Sequence, residues 1–143
     1  MKEIKVKYFV DGIDELCYVE GKSDWIDLHA AETVTMKAGE FRLIPLGVAM
    51  ELPAGYEAHI APRSSTFKNY GILQTNGVGV VDSDYRGELK VPMVNLGREA
   101  YTIQPGERVA QLCIAPVYTA AFVPAEELGD TQRGEGGFGS TGK

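Results

Sequence analysis

The stretch GVGVVDSDYRGELKVP, residues 77–92, sets Asp82, Asp84, Tyr85 and Arg86 within five positions between two apolar runs. Such a pattern predicts a hairpin around a polar knuckle, yet a hairpin turn requires glycine or asparagine, not two carboxylates and a phenol. An aspartate there can cap its own backbone, or it can accept a proton from a bound water as a general base. Gly77 and Gly79 let the main chain approach a planar ligand closely. Four further stretches are chemically odd for their setting: SDWIDLHA (23–30), PRSSTFKNYGI (62–72), ERVAQL (107–112) and RGEGGFGST (133–141).

Simpler motifs fail on their context. The G-x-x-x-x-G-K run from Gly137 to Lys143 lacks the following Ser/Thr and the helix that a phosphate loop needs. DSDYRG copies part of a calcium loop, but Arg86 and Met93 stand where oxygen ligands belong. VVDSD begins like an aspartic-protease loop, but Asp84 replaces the expected glycine. His29 and His59 are isolated in strand contexts and read as surface or half-buried rings. Cys17 and Cys113 form no CxxC or Cys/His cluster, so they read as buried thiols rather than zinc ligands.

The elements that must position these residues are strands. Tyr56, Ala58 and Ile60 alternate with Glu57 and His59; Leu89, Val91 and Met93 alternate with Glu88, Lys90 and Pro92; Val109, Gln111 and Cys113 oppose Ala110, Leu112 and Ile114. Turn signals such as KAGE, LPAGY, NLGRE and QPGER separate them, the rhythm of an all-β sandwich or barrel. One short helix is expected in SSTFKNYG, capped by Ser64 or Ser65 and ended by Gly71, and a single turn in PAEELG. The chain reads as one domain over 1–128 and a glycine-rich, flexible tail over 129–143. A net charge of −6 disfavours polymeric nucleic acid and anionic membranes, but leaves room for a small phosphate-bearing ligand. No apolar run approaches the ~20 residues of a membrane span, and the N-terminus lacks signal-peptide features, so a cytoplasmic location is expected.

Together these four stretches and NGVGVVDSDYRGE (76–88), in this order and spacing, resemble the motifs of the homotrimeric deoxyuridine triphosphatases from about Ser23 to Gly142. The resemblance implies a distorted jelly-roll or β-clip-like fold. It implies hydrolysis of dUTP to dUMP and pyrophosphate, supplying dUMP for thymidylate synthesis and keeping uracil out of DNA. By similarity Asp82 is the general base. Asn76 and the backbone near Gly79 read the uracil edge, Tyr85 lies beneath the deoxyribose, and Phe138 stacks on the base from the tail. Arg63, Ser64, Gln111 and Arg133 match phosphate-binding positions, with Ser140 and Thr141 adding hydroxyls and amides. Ser65 stands where the family has glycine, and either adds a phosphate hydroxyl or caps the helix. Asp84 matches the motif too, with bracing of the loop as its other reading; for Arg63 the other reading is a structural salt bridge between subunits. Asp27 matches the carboxylate that holds the water shell of a Mg²⁺ ion on the substrate phosphates. The family pattern further implies a homotrimer whose tail closes over a neighbour's site.

Two rivals share the scaffold. A dCTP deaminase, or a bifunctional relative, needs a glutamate on the strand after the knuckle, and Pro92 occupies that position. A regulatory binding protein that captures a partner, as some phage relatives do, has no need of Asp82.

Overall fold

A computed structural model describes residues 2–137; Phe138, Ser140 and Thr141 lie outside the described residues. Among the described residues, eleven strands and one helix follow in the order β1 (Lys5–Tyr8), β2 (Ile26–His29), β3 (Val34–Met36), β4 (Phe41–Pro45), β5 (Val48–Glu51), β6 (Tyr56–Pro62), α1 (Ser64–Tyr70), β7 (Ile72–Gln74), β8 (Gly79–Val81), β9 (Lys90–Asn95), β10 (Tyr101–Ile103) and β11 (Arg108–Pro116). All pairings are antiparallel. A four-stranded sheet runs β2-β11-β6-β8, a three-stranded sheet β4-β9-β7, and two ribbons pair β1 with β5 and β10 with β3. The fold is the expected all-β jelly roll with one short helix.

The alternation read from β6 and β9 holds. Ala58 and Ile60 point inward on one strand, Leu89, Val91 and Met93 at the other, and they share a single core with Leu28, Ile44 and Leu112. Removing such side chains from water stabilises by about 25 cal/mol per Å² of apolar surface. On β11 the alternation slips, because a bulge between Arg108 and Ala110 buries both Val109 and Ala110.

The 77–92 hairpin does not form. β8 pairs with β6, whereas β9 pairs with β4 and β7, so the knuckle carries the chain from one sheet to another. Two hydrogen bonds brace it locally: Tyr85 N donates to Asp82 O (3.1 Å) and Arg86 Nη1 to Ser83 O (2.6 Å). Leu89 N then docks on Val48 O at 2.8 Å. A loop with its own bonds and its own anchor has no need of a strand partner.

Helix α1 stands where expected but starts differently. Arg63 is its N-cap, with no side-chain cap from Ser64 or Ser65. Gly71 ends it in the left-handed conformation, φ 70°, and a Cβ there would also press on the Gly97 backbone. PAEELG makes no helical turn; after β11 the chain runs exposed through Tyr118, Phe122 and Leu128. The thiols differ too, Cys17 being exposed and Cys113 half-buried. The apolar neighbours that suggested burial of Cys17 lie in a stretch that joins no sheet.

Candidate active site

A cleft of about 240 Å³ opens where β8 leaves β6, lined by Asn76, Gly79, Asp82 and Tyr85 together with Ile60 and Glu88. Gly79 faces Ile60 across the β6–β8 ladder. A Cβ on residue 79 would stand 3.1 Å from Asn76 Nδ2 and 3.5 Å from Ile60 Cβ. Glycine therefore keeps this wall flat enough for a planar ring. Asp82 is exposed at the rim, and among the described residues no hydrogen bond or ion pair engages its carboxylate. Only its backbone carbonyl closes the turn, so Asp82 does not cap its own backbone. The Tyr85 hydroxyl donates to Glu88 O (3.1 Å), and the ring covers Gly87, where any Cβ would collide with it. The Glu88 carboxylate in turn accepts from Gly47 N (3.0 Å).

A second cluster spans three neighbouring strands. β11 sets Gln111 beside Asp27 of β2 and Ala61 of β6. Arg63 Nε pairs with Asp27 Oδ1 at 2.9 Å, and Arg108 Nε reaches Asp27 Oδ2 at 3.6 Å. Gln111 Nε2 donates to Pro62 O (3.1 Å), fixing the entry to α1. A cleft of about 390 Å³ beside this cluster is lined by Arg63, Ser65, Tyr70, Tyr101, Glu107 and Arg108, among others. Burial, reinforced by the hydrogen bond to Glu107 (3.0 Å), pushes the Tyr101 phenol well above its usual range. His29, next to Asp27, is lowered from 6.5, chiefly by burial, and its Nδ1 is buried without a partner among the described residues.

The two clefts have no lining residue in common. Ser64 is exposed on the first turn of α1. Arg133 lies in the exposed tail, its Nε bonded to Gly136 O (2.7 Å), and lines neither cleft.

The dUTPase family profile matches residues 21–142. The chain is 52% identical over 117 residues to the deoxyuridine 5'-triphosphate nucleotidohydrolase of Nautilia profundicola, covering 82% of each chain. It is 44% identical over the full length of both chains to that of Fusobacterium nucleatum. The chain belongs to the dUTPase family. Its activity is that of a dUTP diphosphatase, the hydrolysis of dUTP to dUMP and pyrophosphate. Among solved structures, the dUTPase of Staphylococcus bacteriophage 80alpha bound to dUPNHPP superposes with a TM-score of 0.89 at 25% identity, covering 100% of both chains. That phage protein is described as controlling transfer of virulence genes.

Sequence reasoning assigned no role to three residues of this dUTPase, Gln74, Arg86 and Arg108. Gln74 is buried, and Nε2 donates to Ile60 O (2.9 Å), Asn76 Oδ1 (2.9 Å) and Gly77 O (3.1 Å). Its signal was present, since period two places Gln74 on the same inward face as Ile72. Arg86 staples the knuckle from outside. Arg108 shares Asp27 with Arg63 and stands at the β11 bulge.

Proposed function

We propose that Asp82 is the general base of dUTP hydrolysis, taking a proton from the water that attacks the α-phosphorus as the bond to pyrophosphate breaks. The observation that carries this reading is the unpartnered Asp82 carboxylate at the rim of the Asn76–Gly79–Tyr85 cleft. A base must be free to accept a proton, and a carboxylate locked in an ion pair is not. Asn76 and the backbone at Gly79 read uracil, the narrow slot rejects a substituent at C5, and Tyr85 under the sugar rejects a 2′-hydroxyl by exclusion.

Arg63, Ser64, Ser65 and Gln111 bind phosphates, and Arg133 and the tail residues Phe138, Ser140 and Thr141 close over the nucleotide. The separation of the two clefts supports a site shared between copies, with the slot of one subunit facing the Arg63 cluster of another in a homotrimer. Asp27 fits a Mg²⁺ that arrives on the phosphates with its water shell, because one carboxylate facing two guanidiniums cannot cage a bare cation. When bound, Mg²⁺ neutralises phosphate charge. The reaction supplies dUMP and removes dUTP in the cytoplasm. Pro92, half-buried opposite Leu43, argues against a deaminase, since it can move no proton. The free Asp82 likewise favours an enzyme over a scaffold that only binds a regulatory partner. Asp82→Asn should cut pyrophosphate release by about 10²–10⁴ while dUTP binding persists; unchanged release would refute the assignment.

A further inference from the structure

The buried amides of this chain differ in one respect. Asn95 is fully engaged: Nδ2 donates to Met36 O and Glu99 O, and Oδ1 accepts from Gly97 N. Gln74, only 3% exposed, crowds three acceptors onto the two hydrogens of Nε2 and leaves Oε1 buried without a partner among the described residues. An unmade buried hydrogen bond is costly and calls for an explanation.

The acceptors supply one. Ile60 O and Gly77 O belong to the backbone and cannot exchange roles, so Gln74 must turn its NH₂ toward them. Asn76 sits beside that NH₂ and must meet it with Oδ1, at 2.9 Å. The Asn76 NH₂ is thereby directed over Gly79, on the wall of the cleft. Unconstrained, an exposed asparagine could offer either a donor or an acceptor.

We infer that Gln74 is a positioning residue for base specificity: it holds Asn76 in the orientation that offers a hydrogen-bond donor to the base. A donor there suits the C4 carbonyl of uracil and opposes the C4 amino group of cytosine. The unpartnered Oε1 is what this arrangement leaves behind. This rests on the assignment of the Asn76–Gly79 cleft to the base.

The test is a double-mutant cycle of Gln74→Met and Asn76→Ala, with kcat/KM measured for dUTP and dCTP and folding checked by thermal melting. Each single variant is expected to lower the dUTP-to-dCTP ratio by about tenfold or more. The double variant should lose no more than the larger single loss, because Gln74 acts through Asn76. A Gln74→Met ratio equal to the unmodified enzyme, or losses that multiply in the double variant, would overturn the role of Gln74 alone. An unchanged ratio in Asn76→Ala would overturn the base assignment and the inference together. The unmodified protein gives an independent readout by nuclear magnetic resonance. The Asn76 side-chain NH₂ signal should shift on addition of dUMP and far less with dCMP; equal shifts, or none, contradict the inference.

Discussion

The two ends of the candidate site solve opposite problems with opposite materials. The base slot is made of backbone, glycine and an amide relay, and its one important charge, on Asp82, is left unpaired. The phosphate end is made of charge, with Asp27 shared between Arg63 at 2.9 Å and Arg108 at 3.6 Å. If the slot takes the base as proposed, shape and hydrogen-bond direction distinguish uracil from its analogues, and the slot must be rigid before substrate arrives. Phosphates are distinguished from nothing nearby; they must be attracted, neutralised and released. Arginines held by a carboxylate can change partners when an anion enters, which a rigid wall cannot do. On the proposed assignment, specificity and proton transfer sit at one end, and affinity at the other.

That division orders the expected effects of substitution. The largest belongs to Asp82: its Asn variant should lose about 10²–10⁴ in kcat with little change in dUTP affinity, while Asp84→Asn keeps most of its activity. Stopped-flow release of pyrophosphate and calorimetric binding separate the two quantities. Next comes Gly79→Ala, whose Cβ would displace the Asn76 amide and narrow the slot. Its kcat/KM for dUTP should fall about tenfold or more; full activity would show that the base does not lie against residue 79. Tyr85→Ala should act on selectivity, raising turnover of UTP relative to dUTP by about tenfold. Parity between Tyr85→Ala and the unmodified enzyme in that ratio would remove the sugar-excluding role.

At the phosphate end, Arg63→Ala should raise KM far more than it lowers kcat and should weaken the dependence of KM on salt. Its stability should change by no more than about 1 kcal/mol, because the Arg63–Asp27 pair remains partly solvated. The smallest effect is that of His29. Burial lowers its folded pKa from 6.5, so the unfolded chain binds its proton more readily. Its contribution to stability is therefore complete above pH 6.5 and is lost as pH falls through the folded value. Melting curves across mildly acidic pH should show this slope, and His29→Gln should flatten it.

Sequence patterns exposed the strands well where one face is buried and the other is not, as in β6 and β9, because alternation is a direct record of burial. They failed at the knuckle. Two apolar runs around a turn look alike whether they pair with each other or with separate sheets, and pairing depends on partners far along the chain. The residues of the Arg63–Asp27–Gln111 cluster were visible as types, but Arg108 was not, since a bulge that shifts one residue leaves no mark on composition. Gln74 was missed for the opposite reason. Its burial could be read from its place beside Ile72, but its purpose depends on which carbonyls the fold brings within reach. Phe138, Ser140 and Thr141 retain the roles implied by resemblance alone.

The most direct test of a slot and a phosphate cluster drawn from different copies is complementation. Asp82→Asn and Arg63→Ala chains, each impaired alone, are refolded together in equal amounts and assayed for dUTP hydrolysis. If the two ends meet across a subunit boundary, random assortment gives about a quarter of all sites two intact halves, and activity should rise well above that of either variant. If each chain supplied both ends of its own site, every site would carry one lesion, and the mixture would be no more active than its parts.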